Sequence, residues 1–158
     1  MDAQKWPFSD LVVDAASLAA GKAFSFSESA ALGAAGTKEY VFTTPAAGTM
    51  HLEVSACALL LLTLDVYEAT ARAGTNLKTT LNRRRLVATA ATATVHEGVG
   101  AGADGTLIFT EFSGTAALAG QRIETGRWIC ARSTKYLIRL TSGAAANQET
   151  VKIRWYEA

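Results

Sequence analysis

The feature that most constrains this chain is a period-two alternation running through KEYVFTTPAAGTMHLEVSACALLLLTLDVYE, residues Lys38 to Glu68. Tyr40 and Phe42 precede a turn at Pro45-Ala-Ala-Gly48, after which Met50, Leu52 and Val54 alternate with His51, Glu53 and Ser55. Alternation of this kind puts one set of side chains on each face of a strand, whereas a helix would scatter the polar residues around its axis. Leu59 to Tyr67 begins as continuous Leu and then alternates, which predicts a central strand whose first half is covered on both faces. Strands with an apolar face need a second apolar layer, and the rest of the chain supplies little that reads as helix. The expected fold is therefore all-β, a two-sheet antiparallel sandwich.

The flanking segments fit this expectation. Phe24 and Phe26 alternate with Ser25 and Ser27 in KAFSFSES, and the Ala- and Gly-rich stretch Ala30 to Gly36 reads as a loop. Residues 69–85 are long for a hairpin and are expected to cross the sandwich or to project from it. Leu86 to Val95 reads as extended, and His96 to Asp104 as a Gly-rich turn. Thr106 to Phe112 reads as a strand with an imperfect pattern, Leu107, Phe109 and Glu111 on one face against Ile108 and Phe112. Ser113 to Gly126 reads as a large loop. Arg127 to Ala131, Tyr136 to Leu140 and Thr150 to Glu157 are three closing strands. That makes about eight strands, as in a jelly roll. An immunoglobulin-like sandwich fits less well, because Cys57 and Cys130 do not flank a core tryptophan in the expected order, the tryptophans being Trp6, Trp128 and Trp155.

The first residues are the least regular. Ala and Leu favour two helical turns over Asp14 to Ala20, stopped by Gly21. Trp6, Phe8, Leu11, Val12 and Val13 concentrate apolar surface near the start, and two placements compete for them. They form either an arm packed on its own domain or an arm anchored on a neighbour. The division expected is residues 1–21 as this extension and 22–158 as the sandwich.

Composition narrows the functional classes. Charged residues are 18% of the 158, and 15 Lys and Arg against 14 Asp and Glu leave a net charge of +1. No long-range attraction to nucleic acid or an anionic membrane follows from that balance. The apolar run at Leu59 is far too short for a spanning helix, which needs about 20 residues, and MDAQKWPFSD does not read as an export signal. Synthesis in the cytoplasm, with Cys57 and Cys130 as free thiols, is expected.

Catalytic chemistry is sparse. His51 and Glu53 share a strand face, and His96 precedes Glu97, but two imidazoles with no third ligand do not specify a metal. Neither a phosphate loop nor a nucleophile elbow is present, and Asp104-Gly105 reads as a turn. No cofactor, no metal and no enzymatic activity are expected. Arg83, Arg84 and Arg85 are the one concentrated charge, suited to fork-like pairing with carboxylates in the domain or on a partner.

Several strings taken together, KAFSFSES, KEYVFTTP, TLDVYEATARAGT followed by LNRRR, VHEGVGAGADGTLIF, and KYLIRLTSG with VKIRWYEA, resemble a group of tailed-phage virion proteins. These are small jelly-roll head decoration or cement proteins. Tyr67-Glu68, Asn82 to Arg85, Tyr136, Arg139 to Thr141 and Trp155 to Glu157 carry the match, which covers most of the chain from Lys22 onward. The usual Asn-rich composition is replaced here by Ala. The resemblance implies a structural protein on the capsid surface that binds major capsid protein and neighbouring copies, as a homo-oligomer, dimer or trimer. Attachment is expected through Trp6, Phe8, Leu11, Val12, Val13, Arg83, Arg84 and Arg85. The alternatives are a carbohydrate-binding module with Trp128, Tyr67 and Tyr156 as a platform, and, less well supported, a cupin-like metalloenzyme.

Overall fold

The computed structural model describes residues 15–86, 89–113 and 122–158. Trp6, Phe8, Leu11, Val12 and Val13 therefore lie outside the described residues. A short helix over residues 15–19 stops before Gly21, whose φ of 71° only glycine adopts freely. Everything after it among the described residues is strand and connection.

Among the described residues twelve strands follow: β1 (Ala23–Leu32), β2 (Thr37–Thr43), β3 (Met50–Ala58), β4 (Leu62–Glu68), β5 (Gly74–Leu77), β6 (Leu81–Asn82), β7 (Thr94–Val99), β8 (Thr106–Ser113), β9 (Arg122–Glu124), β10 (Trp128–Cys130), β11 (Lys135–Ser142) and β12 (Asn147–Glu157). They form two antiparallel sheets. The first is ordered β10-β3-β12-β1-β6, with β9 also on β3, and the second β5-β7-β2-β11-β4-β8. Pairing is nested: β1 with β12, β2 with β11, β3 with β10 and β4 with β8. This is how a chain pairs when it is laid down as one long hairpin and then rolled.

The core lies between the sheets and is set by strand parity. Leu52, Val54, Leu62, Leu64, Ile138, Leu140, Ile153 and Trp155 are all buried. Phe42 of one sheet meets Trp155 of the other edge-on at 5.4 Å between ring centroids, and Phe26 meets Tyr40 in the same way.

Several boundaries differ from the sequence reading. Leu59 to Leu61 are not strand, and Leu59 is exposed, because their backbone groups bond to the start of β12 and the turn before it: Leu59 N–H to Gln148 O, Leu60 N–H to Asn147 Oδ1, and Gly143 N–H to Leu61 O. β4 thus begins at Leu62 and is buried on one face only, with Thr63, Asp65 and Tyr67 partly exposed. β1 runs on to Leu32, since β12 pairs with it as far as Asn147. Residues 69–85 do cross the sandwich, placing β5 in one sheet and β6 in the other. The strand expected from Leu86 lies further on, at Thr94–Val99, so His96 to Val99 are ladder rather than turn.

The imperfect pattern of β8 has a structural cause. Val66 pairs with Phe109 and Tyr67 with Leu107, so Ile108 is an extra residue at a β-bulge. The bulge turns Leu107 to the outer side with Thr110 and Phe112, while Phe109 faces inward and packs on Trp128.

Candidate functional site

The arginine passage and the start of the described chain meet at one corner of the sandwich. Asn82 organises it: its amide donates to Gly21 O at 2.7 Å and Thr89 O at 3.0 Å, while its Oδ1 accepts from Arg84 N–H at 2.9 Å. Arg83 N–H donates to Ala23 O at 2.8 Å, closing the passage onto β1. The carbonyls of Ala19, Gly21 and Ala23 thus accept from Asn82, Arg83 and Arg84, some sixty positions further along, while that of Lys22 accepts from Glu157 N–H.

The three arginines have different fates there. Arg83 Nη1 donates to Tyr156 Oη at 2.7 Å, with its guanidinium 5.8 Å from that ring, and Arg127 lies over the same ring at 5.2 Å. Tyr156 is buried under this pair although it points outward from β12. Arg84 donates to Ala19 O, at the carboxyl end of the short helix. Arg85 is exposed, and Leu86 beside it is 95% exposed. Leu18 and Leu81 add further exposed apolar surface at the same corner.

Two closed rings of alternating charge, neither anticipated from sequence, brace the other end and face of the second sheet. In the first, Lys38 pairs with Glu28 (3.9 Å) and Glu97, and Lys78 pairs with Glu28 (2.9 Å) and Glu97. It joins β1 to β2 and β7 across the mouth of the core, and Tyr40 Oη donates to Glu28 at 2.8 Å. Partial burial raises the Glu28 pKa, but the Lys78 and Tyr40 hydrogen bonds and the two lysine charges outweigh it, and the pKa falls below the ordinary value. Tyr40 is driven well above the phenolic range by burial and by the same Glu28.

In the second ring, Glu39 pairs with Arg72 (2.9 Å) and Arg139 (2.6 Å), and Asp104 with the same two arginines (2.7 and 2.8 Å). It lies on the outer face, where Arg139 also stands 5.1 Å over the Tyr67 ring. Burial alone would lower the Arg139 pKa, yet Glu39 and Asp104 hold it above the usual guanidinium value. Asp104-Gly105 is therefore more than a turn: Asp104 is a ring member, and Gly105 has φ 97° where a Cβ would come 2.2 Å from Glu68 O.

Beside the first ring, Glu149 follows the inward parity of Asn147 and Val151 and is 3% exposed. Neither carboxylate oxygen has a hydrogen-bond partner among the described residues. Burial pushes its pKa up to about 7, with Lys38 opposing the shift.

The residues considered for other chemistries do not assemble. Glu53 is paired to Arg154 at 2.9 Å and Glu97 to the lysines, while His51 and His96 lie in different sheets. Among the described residues no cluster of three His, Cys, Asp or Glu side chains could hold a metal. Trp128 packs on Phe109, Tyr67 lies on the outer face of the second sheet and Tyr156 on that of the first, so the three aromatics form no shared platform. Cys57 and Cys130 are free, and burial pushes the Cys130 thiol up to about 12. No helix among the described residues is long and apolar enough to cross a membrane. Compared with protein-family models and with characterised proteins, the sequence matches none.

Proposed function

We propose that this chain is a structural virion protein that decorates and reinforces a phage shell, binding major capsid protein and neighbouring copies. The observation that carries this reading is the corner at Arg85. There the arginine passage, tied through Asn82 to Gly21 and Arg84 to Ala19, displays Arg85 beside the exposed Leu86, Leu18 and Leu81. One partner surface could engage this charge and these apolar groups together. The nested strand pairing supports a jelly roll, a scaffold that leaves such corners free for contacts. A carbohydrate-binding role is less favoured, because the three candidate aromatics point away from one another.

The division of labour among the arginines shapes the test. Arg83 holds Tyr156 at home, so its loss confounds attachment with packing. Arg85 is the cleaner probe. Purified heads would be incubated with wild type, with Arg85→Ser, and with a chain lacking residues 1–14, across a salt series and at limiting concentration. Both variants are expected to stay folded and to occupy fewer sites, Arg85→Ser with a flatter salt dependence because a screened contact is gone. Wild-type occupancy by both folded variants would refute the assignment.

A further inference from the structure

We propose that β8 is a self-docking edge, through which two copies pair antiparallel about a two-fold axis near Thr110 and join their second sheets into one. This goes beyond shell binding and stands independently of it.

The edges of the two sheets are unequal. β5, β6, β9 and β10 have four, two, three and three residues, whereas β8 has eight and, among the described residues, pairs only with β4. Short edges offer little template to another chain; a long edge exposes a row of unpaired N–H and C=O groups unless charge or proline blunts it. TLIFTEFS contains one charge, Glu111, and neither lysine nor proline. Three of its six exposed side chains are apolar: Leu107 and Ile108 are exposed and Phe112 is 70% exposed.

The strand complements itself. With the axis at Thr110, Thr110 faces its own copy, Glu111 faces Phe109, and Phe112 faces the Leu107–Ile108 bulge of the partner. The bulge matters because it brings Leu107 to the same outer face as Phe112. Apolar groups then meet twice on that face, and the two Glu111 carboxylates are never opposite each other, which like charges in a ladder would resist. Alongside, β10 edges the first sheet on the same side of the sandwich, linked through Phe109 and Trp128, and its Ile129 is 72% exposed. Contact along both edges widens the interface beyond one strand pair toward the roughly 1,200 Å² of a specific association.

Sedimentation equilibrium of the full chain, without heads, tests this. Wild type is expected to be dimeric at about 100 µM. Leu107→Lys and Phe112→Lys, each at an exposed position and checked for fold by circular dichroism, are expected to raise the dissociation constant at least ~10-fold. Thr110→Cys in a Cys57→Ser background is expected to form a symmetric disulfide on mild oxidation, since opposed residues place their Cα atoms within bridging range. A wild-type monomer at that concentration overturns the proposal. So does a dimer or trimer that both lysine variants leave intact, or one that dissociates only when residues 1–14 are removed, which would place the contact on the arm instead.

Discussion

Lys38 and Glu39 are neighbours in β2, and each closes a different ring of alternating charges on opposite faces of that strand. Lys38 points to the mouth of the core and Glu39 outward, so one dipeptide ties β2 to β1 and β7 on one side and to the connections carrying Arg72 and Asp104 on the other. The arrangement matters for specificity of register. A slip of one residue would exchange the two charges and place like beside like in both rings.

The outer ring is expected to behave as a unit. In a double-mutant cycle with Glu39→Gln and Arg139→Met, the coupling should be about 1–2 kcal/mol at low salt and shrink as salt rises. Arg139→Lys should recover little of it, because an ammonium cannot fork between Glu39 and Asp104 while stacking on Tyr67. Denaturant unfolding of the four variants measures the coupling; additive losses would show that the ring is a set of independent pairs.

Glu149 gives stability a slope with pH. Its folded pKa, about 7, is raised above the unfolded value, so the folded state holds its proton longer. Stability is then unaffected below the unfolded carboxylate pKa, falls as pH rises between that value and about 7, and is constant above, the loss being on the order of 3 kcal/mol. Glu28 acts oppositely, its lowered pKa giving stability that is lost in acid. Thermal melts of wild type should therefore peak near mildly acidic pH, and Glu149→Gln should flatten the decline that wild type shows up to about pH 7. An unchanged slope in the variant would assign it to another group.

Leu64→Ala should destabilise by about 2–5 kcal/mol, because Leu64 is fully buried between the sheets. Denaturant midpoints with an unchanged m-value would check it.

Gly105→Ala should cost more than 1 kcal/mol despite adding only a methyl group, since φ is 97° and the new Cβ would collide with Glu68 O. The variant should also loosen the outer ring through Asp104, next in the chain. Gly126→Ala, where a Cβ meets nothing within 4 Å, is the matched control.

Strand parity made most of the sandwich legible in the sequence. Leu52, Val54, Leu62, Leu64, Ile138, Leu140, Ile153 and Trp155 follow strand parity into the core, although Val41 and Leu137, on the opposite face of β2 and β11, are buried as well. What could not be read depends on partners remote in sequence. Leu59 to Leu61 look like strand until the start of β12 and the turn before it take their backbone bonds, and the Gly-containing His96 to Val99 looks like turn until β2 and β5 pair with it. β8 looked irregular because one bulge switches its parity between Leu107 and Phe109. The arginine passage was visible as charge, but not that Arg83 is held by Tyr156 while Arg85 is displayed. The rings were invisible, since Glu28, Lys78, Arg72 and Asp104 are scattered single charges until the topology gathers them.

The nested pairing also dictates when the molecule can form. β1 lies beside β12 from Ala23 opposite Tyr156 to Leu32 opposite Asn147, so a central strand of the first sheet stays without that neighbour until β12 has been synthesised. Almost every ladder joins segments far apart in the chain, which makes folding slow and concentrates it after synthesis rather than during it. Until β12 arrives, β1 has only the two-residue β6 beside it, at Phe24 and Ser25, and it is in this interval, not in the finished sandwich, that the chain is most exposed to misassembly.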